Sequence, residues 1–193
     1  MGQTDLAHFI LLIPPTSCHT WGIMLLRPAE PADAMAVARV HVRSWQAAYK
    51  TLLPAAYLNQ LRPEDRAQAY DFATADPRKP QTIVAVDEGV ICGFATTAPS
   101  RDPDLPDDGE LWALYVDPEQ WGKRIGMALI ATARDRLSQF GFRSALLWVL
   151  AGNVRADRFY RIDGWAPDGQ QRTDSVWGVT VNEVRYRRGL GRQ

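Results

Sequence analysis

The sequence predicts an α+β fold, a three-layer α/β/α arrangement in which a mixed, mostly antiparallel central sheet is flanked by helices. Three observations point to it. Strand-like runs and helical stripes follow one another as β, two or three α, three β, α, β, α, two β. The runs Thr82–Val86 and Val90–Thr97 meet at Asp87-Glu88-Gly89, a compact hairpin signal that makes them antiparallel. One helix-length segment, Gly126–Phe140, separates the apolar runs Glu110–Val116 and Ser144–Leu150, and a crossover of that length makes those two strands parallel.

Residues 1–23 stand apart from the rest. Phe9-Ile10-Leu11-Leu12-Ile13 is apolar but far too short to span a bilayer, and no basic residue precedes it as a secretory signal requires. The stretch reads as an N-terminal extension, either a mobile tail or an apolar arm for self-association. Residues 24–190 read as a single domain. Met24–Arg27 is a short strand closed by Pro28. Pro31 suits a first helical position and Asp33 a first turn; Met35, Ala38, Val42, Trp45 and Tyr49 then form one helical stripe. The stripe is mainly core, with Trp45 and Tyr49 able to line a pocket at its end; His41 beside it reads as satisfied or solvated. A second helix follows Pro54, and a third starts at Pro63 and runs to about Ala75. The acidic, Pro-rich loop between Ser100 and Gly109 reads as solvated carboxylates, or as an attractor for a cationic substrate. After Ser144–Leu150 comes a helix over Asn153–Ile162, ended by Gly164, then strands near Arg172–Trp177 and Val181–Arg187. Arg185, Arg187, Arg188 and Arg192 are expected to decorate a solvated edge strand.

Composition narrows the function classes. The 193 residues are 46% hydrophobic and 23% charged, and 22 acidic residues balance 22 basic ones, which gives no support for a general nucleic-acid binder. No stretch is long and apolar enough for a membrane span. Cys18 and Cys92 are too few for a disulfide framework or a zinc site, so no metal is expected, and a reducing cytoplasm is the expected setting. Cys92, within an apolar run, reads as a small core residue.

The chemistry concentrates between Glu110 and Phe140. The apolar run ends at Val116, and Asp117-Pro118 breaks it because Pro lacks the N–H a ladder needs. The loop Trp121-Gly122-Lys123-Arg124-Ile125-Gly126 leads into an amphipathic helix. Such a loop aims free N–H groups and the positive helix end at one point, an anion site.

These residues resemble the GNAT superfamily of acetyl-CoA-dependent N-acetyltransferases, over roughly Met24–Arg188. Its loop pattern is Gln/Arg-x-x-Gly-x-Gly/Ala; here Trp121 stands at the Gln/Arg place, Arg124 at the first Gly place and Gly126 at the last. A second segment, Asn153 to Trp165, fills every position of the family's Asn-x-x-Ala-x-x-Phe-Tyr-x-x-x-Gly-Phe/Trp. The resemblance implies transfer of acetyl from acetyl-CoA to an amine. Trp121, Gly122, Lys123, Arg124, Ile125, Gly126 and Met127 would take the pyrophosphate. Leu114, Tyr115 and Val116 would pair with the pantetheine arm, with Asn153 bonding it from the other side and Phe159 beside it. Tyr160 would give a proton to the departing thiolate, and Glu110, or less strongly Glu183, would act as base, directly or through water. Trp45, Tyr49 and Tyr57 would line the acceptor pocket. Three readings stay open: an acetyltransferase for small-molecule amines, one for protein or peptide amines, and a non-catalytic acyl-CoA-binding regulatory module, the last kept open by Arg124. The apolar extension and the late hairpin are compatible with a homodimer.

Overall fold

The computed structural model describes residues 24–191 apart from 75, 77 and 177; the apolar arm, Cys18, Trp177 and Arg192 lie outside the described residues. Seven strands lie in the order β1-β2-β3-β4-β5-β7-β6. They are β1 (Leu25–Pro28), β2 (Gln81–Asp87), β3 (Val90–Pro99), β4 (Gly109–Val116), β5 (Ser144–Leu150), β6 (Ala166–Val176) and β7 (Val179–Gly189). Every neighbouring pair is antiparallel except β4 and β5, which are parallel. The α+β expectation therefore holds, including the one crossover. At the β2–β3 hairpin Glu88 and Gly89 both take positive φ, 48° and 80°, the backbone that a two-residue turn needs to match strand twist.

Period-two alternation sorts the strand residues into two layers. On one face Ile83, Ala85 and Ala95 pack with Leu129, Ile130, Ala133 and Leu137 of α4 (Ile125–Gln139). On the other, Val84 and Phe94 pack with Val37 and Val40 of α1 (Ala34–Ala48). Leu129 and Ile130 are fully buried, so truncating either to Ala would cost about 2–5 kcal/mol. Arg27 and Asp33 pair at 2.6 Å and 2.9 Å, and Asp33 also accepts from the Glu30 N–H at 2.8 Å, which fixes the entry to α1. Cys92 is buried, with its thiol directed at the Ala85 carbonyl, as a core residue should be.

The structure corrects four expectations. The helix begun at Pro63 is α3 (Pro63–Ala67), much shorter than expected, after α2 (Ala55–Gln60). Tyr70 and Phe72, two residues apart, both pack against the Val84–Phe94 cluster; that spacing is extended and incompatible with continued helix. β6 starts at Ala166, earlier than the Arg172 expected. Finally, β7 is not an edge strand, because it lies between β5 and β6. Arg185 sits opposite Trp148 and Arg187 opposite Leu146, so both face the loop before β4. Arg185 therefore bonds Asp102 and Asp168, each at 2.8 Å, and Arg187 bonds Asp108 at 2.8 Å. Asp102 and Asp108 are buried ion-pair partners, not the solvated carboxylates expected of that loop.

Candidate active site

The site begins where the sheet comes apart. β4 and β5 pair only at Gly109↔Ala145 and Glu110↔Leu146, although the strands are 8 and 7 residues long. The register with β3 jumps from Thr97↔Leu111 to Thr96↔Ala113, so Trp112 is an extra residue in β4. A bulge of this kind bends its strand and increases the local twist. Beyond it β4 and β5 diverge, leaving backbone groups on Leu114–Val116 without a neighbouring strand. A cavity of about 1340 Å³ follows the opening, lined by Glu110, Leu114, Tyr115, Val116, Asn153 and Tyr160 among others. That exceeds the roughly 300–1,000 Å³ of a single small-ligand pocket, so it has room for two reactants.

At one end lies the loop Trp121–Gly126. Gly122 has φ of 83° and Arg124 of 62°, so the backbone turns left-handed twice before α4 begins. Arg124 is the N-cap of α4 and gives it no side-chain cap, which leaves the first N–H groups of the helix for an anion. The Gly in the family pattern at this place is thus explained by conformation, and Arg124 adopts the same conformation at a cost of about 1–2 kcal/mol. Replacing it by Gly is expected to raise stability by about 0.5–1 kcal/mol, the relief of strain less the extra freedom of glycine in the unfolded chain. Urea unfolding checks this; a loss of stability would mean the Arg124 side chain holds the loop. Gly126 is needed for a different reason: a Cβ there would meet the Phe159 ring at 3.2 Å. Trp121 donates its indole N–H to the Val116 carbonyl at 2.8 Å, and Ser44 donates to the same carbonyl at 2.9 Å. Ile125 is in the core, so it offers only its backbone; Met127 is partly exposed. Lys123 does not line the cavity; its amine donates to Gln120 at 2.7 Å.

The wall facing this loop is α5 (Val154–Ile162). Asn153 caps it, its side-chain oxygen accepting from the Ala156 N–H at 3.1 Å, which leaves the amide NH₂ to donate into the cavity. Gly164, with φ of 84°, ends the helix as expected. Its C-terminal end is anchored by Asp163, buried and paired with Arg134 at 3.1 Å and Arg188 at 2.9 Å, while accepting from the Trp165 indole at 3.0 Å. Tyr160 is thereby held between Phe159 and Trp165, whose ring centroids lie 5.1 Å and 6.3 Å away. Burial, and then the nearby Tyr115, push its phenol well above the ordinary range, so Tyr160 is a neutral hydrogen-bond donor at physiological pH. Burial acts in the same direction on Tyr49 and Tyr115.

At the other end the cavity meets Trp45 and Tyr49 of α1 and its C-terminal turn, their rings 4.9 Å apart. Tyr57 does not line it directly; its hydroxyl lies 3.5 Å from the carbonyl of Val176, a lining residue at the end of β6. Glu110 does line the cavity and is buried, but it is not a free carboxylate: it accepts from the Arg101 backbone N–H at 3.0 Å and from its guanidinium at 2.9 Å. Glu183 also lines the cavity and pairs with Arg172 at 2.7 Å. Arg101 in turn lies 3.8 Å over the Trp112 ring and Arg172 4.2 Å over Trp148. These four residues were not singled out from sequence. The signal was present, since Trp112 and Trp148 occupy the two strands that diverge, but each reads as core. Their indole nitrogens are buried without a hydrogen-bond partner among the described residues. His41 is buried in the same wall, its Nδ1 2.5 Å from the Tyr70 hydroxyl, and burial keeps it well below its ordinary pKa and therefore neutral. Among the described residues no group of His, Cys, Asp and Glu side chains is arranged to hold a metal ion, and no helix is long and apolar enough to cross a membrane.

The sequence profile of the Acetyltransferase (GNAT) family matches residues 42–165. The uncharacterized N-acetyltransferase YuaI of Bacillus subtilis (strain 168) is 33% identical over 171 residues, which is 88% of this chain and 92% of that protein. The mycothiol acetyltransferase of Sanguibacter keddieii is 36% identical over 85 residues, 43% of this chain and 27% of that protein. Among solved structures, an N-acetyltransferase from Staphylococcus aureus Mu50 matches with a TM-score of 0.67 at 20% identity, covering 87% of this chain and 99% of that one. The PaiA N-acetyltransferase from Thermoplasma acidophilum, solved in complex with coenzyme A, matches with a TM-score of 0.63 at 18% identity, covering 83% and 97%. At these identities the structures bear on the fold alone.

Proposed function

The chain belongs to the GNAT family of acetyltransferases and is an acyltransferase, and from that premise we propose that residues 24–190 transfer an acetyl group from acetyl-CoA directly to the primary amine of a small molecule. One observation carries the reading: a single cavity joins an uncapped, left-handed loop at α4, the diverging strands β4 and β5, and the aromatic wall of Trp45 and Tyr49. Two reactants can meet there from opposite ends.

Acetyl-CoA supplies a thioester, already activated for attack by an amine. The N–H groups of Ile125, Gly126 and Met127 bind its pyrophosphate at the positive end of α4, with Trp121, Gly122 and Arg124 shaping the loop. The backbone groups of Leu114–Val116 turned away from β3, other than the Val116 carbonyl already held by Trp121 and Ser44, take the pantetheine amides as a neighbouring strand would, and Asn153 donates from the facing wall. The same β4 backbone N–H groups stabilise the oxyanion that develops on the acetyl carbonyl. Tyr160 donates a hydrogen bond to the sulfur as the C–S bond breaks. Glu110 takes the amine proton through a water at the edge of its Arg101 pair, and Glu183 is the alternative acceptor.

Support for a small acceptor over a peptide comes from the 102–108 loop. Asp102 and Asp108 are consumed by Arg185 and Arg187, so of the four carboxylates in this loop only those of Asp104 and Asp107 stay exposed to a basic peptide. The test is thiol release from acetyl-CoA across a panel of small amines and lysine peptides, with the acetylated product identified by mass. Amide product from small amines is the expected result. Turnover with peptides alone would replace this reading by the protein-acetylating one, and tight acetyl-CoA binding with no product from any amine would sink it.

A further inference from the structure

The phosphate end of the cavity is more cationic than a pyrophosphate requires. Arg124, Arg155 and Arg158 line it. The acidic side chains nearby are committed elsewhere: Asp117 and Glu119 pair with Arg43, and Asp157 with Arg161. None of the three arginines is paired with a carboxylate among the described residues. Arg155 is nevertheless held in place, its guanidinium carbon 3.6 Å from the centre of the Trp121 ring. Trp121 is itself fixed by its bond to Val116. Stacking of this kind orients the guanidinium plane and leaves its N–H edge free for an anion. The motif has Gln or Arg where this chain has Trp121, so a charge missing from the loop is returned from α5. Val154 and Ile162 are 76% and 67% exposed, on the turns of α5 just before and just after Arg155 and Arg158. Exposed apolar surface beside free guanidiniums suits a nucleoside that carries its own phosphate.

We propose that Arg155, carried on the Trp121 ring and assisted by Arg158, binds the ribose 3′-phosphomonoester of coenzyme A, and so sets the preference of the protein for the phosphorylated coenzyme. This rests on acetyl-CoA being the acetyl donor. The backbone of the α4 loop serves the pyrophosphate, which every coenzyme A derivative shares; Arg155 serves the group that dephospho-coenzyme A lacks.

The experiment is calorimetric titration of the full chain with coenzyme A and with dephospho-coenzyme A, for wild type, Arg155→Ala and Arg155→Lys, with circular dichroism to check folding. Arg155→Ala is expected to weaken coenzyme A about fivefold, the scale of a solvent-exposed, charge-assisted contact, and dephospho-coenzyme A by less than about twofold. Arg155→Lys, which keeps the charge but loses the planar stack, is expected to fall between. Equal losses for both ligands would overturn the proposal by assigning Arg155 to the pyrophosphate or to the loop; no loss for either would overturn it as well. Normal discrimination between the ligands without acetyl transfer to any amine would defeat the function proposed above and leave this inference standing. No binding of either ligand would defeat both.

Discussion

Replacing Tyr160 by Phe is expected to lower kcat about 10²-fold while changing the Kd for acetyl-CoA less than about twofold. The phenol is half-buried in the cavity wall and held neutral by its surroundings, so at any physiological pH it can donate a hydrogen bond and carries no charge. A thiol has an ordinary pKa of about 8.5, well below that of this phenol, so complete proton transfer from Tyr160 to the departing thiolate is uphill. Tyr160 therefore acts by hydrogen bonding to the sulfur as negative charge develops and keeps its own proton, coenzyme A leaving as a hydrogen-bonded thiolate that takes its proton from water. That interaction is stronger in the transition state than in the bound ground state, which is why the effect falls on kcat and spares binding. Phe keeps the ring contacts with Phe159 and Trp165, so folding is preserved. Rapid-quench turnover and equilibrium titration separate the two quantities. A loss of affinity equal to the loss of rate would show that Tyr160 shapes the cavity and takes no part in the chemistry.

Arg185→Met is expected to cost about 3–5 kcal/mol of stability at neutral pH, or roughly 10 °C in Tm, because it strands a buried carboxylate. Arg185 and Asp102 have side chains only 7% and 6% exposed, and Arg185 also bonds Asp168. Burial alone would push the Asp102 carboxyl up; the Arg185 hydrogen bond and the Asp104 N–H overcome it and hold the group below its ordinary range. A carboxylate depressed in the folded state contributes its stability in full above the unfolded pKa of about 3.9 and loses it as pH falls through the folded value. The deficit of the variant should therefore be largest near pH 7 and shrink below about pH 4, where protonation releases Asp102 from the need for a partner. Denaturant melts at both pH values test this. A deficit independent of pH would mean that Arg185 contributes mainly by packing beside Trp148, 5.8 Å away.

What the sequence discloses and what it withholds follow from the range of the interactions. The β2–β3 hairpin, the crossover helix and the capping of α5 are encoded by neighbouring residues, Glu88-Gly89, Gly126–Phe140 and Asn153 with Gly164, so they can be read directly. The loop at α4 and Tyr160 were legible because each is part of a motif. The partners of Glu110 and Glu183 were not, because Arg101 approaches Glu110 from a loop and Arg172 reaches Glu183 from the neighbouring strand. Nothing in the local pattern distinguishes Asp102 from an ordinary solvated loop acid; only the placement of β7 beside β5 brings Arg185 to it. α3 was overextended for the same reason: the pull of Tyr70 toward His41 and of Phe72 toward the sheet is tertiary, and it overrides a permissible helical pattern. Arg124 shows the reverse case, where a residue that looks wrong in the motif takes up the left-handed backbone the motif requires.

The position of β7 has a further consequence, for the order in which the molecule is made. β5 finds its antiparallel neighbour only in residues 183–189, and β6 is joined to the sheet solely through β7. During synthesis, β1 to β4 with α1 and α4 are all complete before β7 has been made. β5 must wait, with its long edge open, until the segment near residue 189 has been made. Asp102 and Asp108, synthesised some eighty residues before Arg185 and Arg187, are uncompensated for that interval. The wall of the cavity that carries Glu183 is therefore among the last parts of the protein to be made, and a chain interrupted before β7 would have its anion loop without that wall.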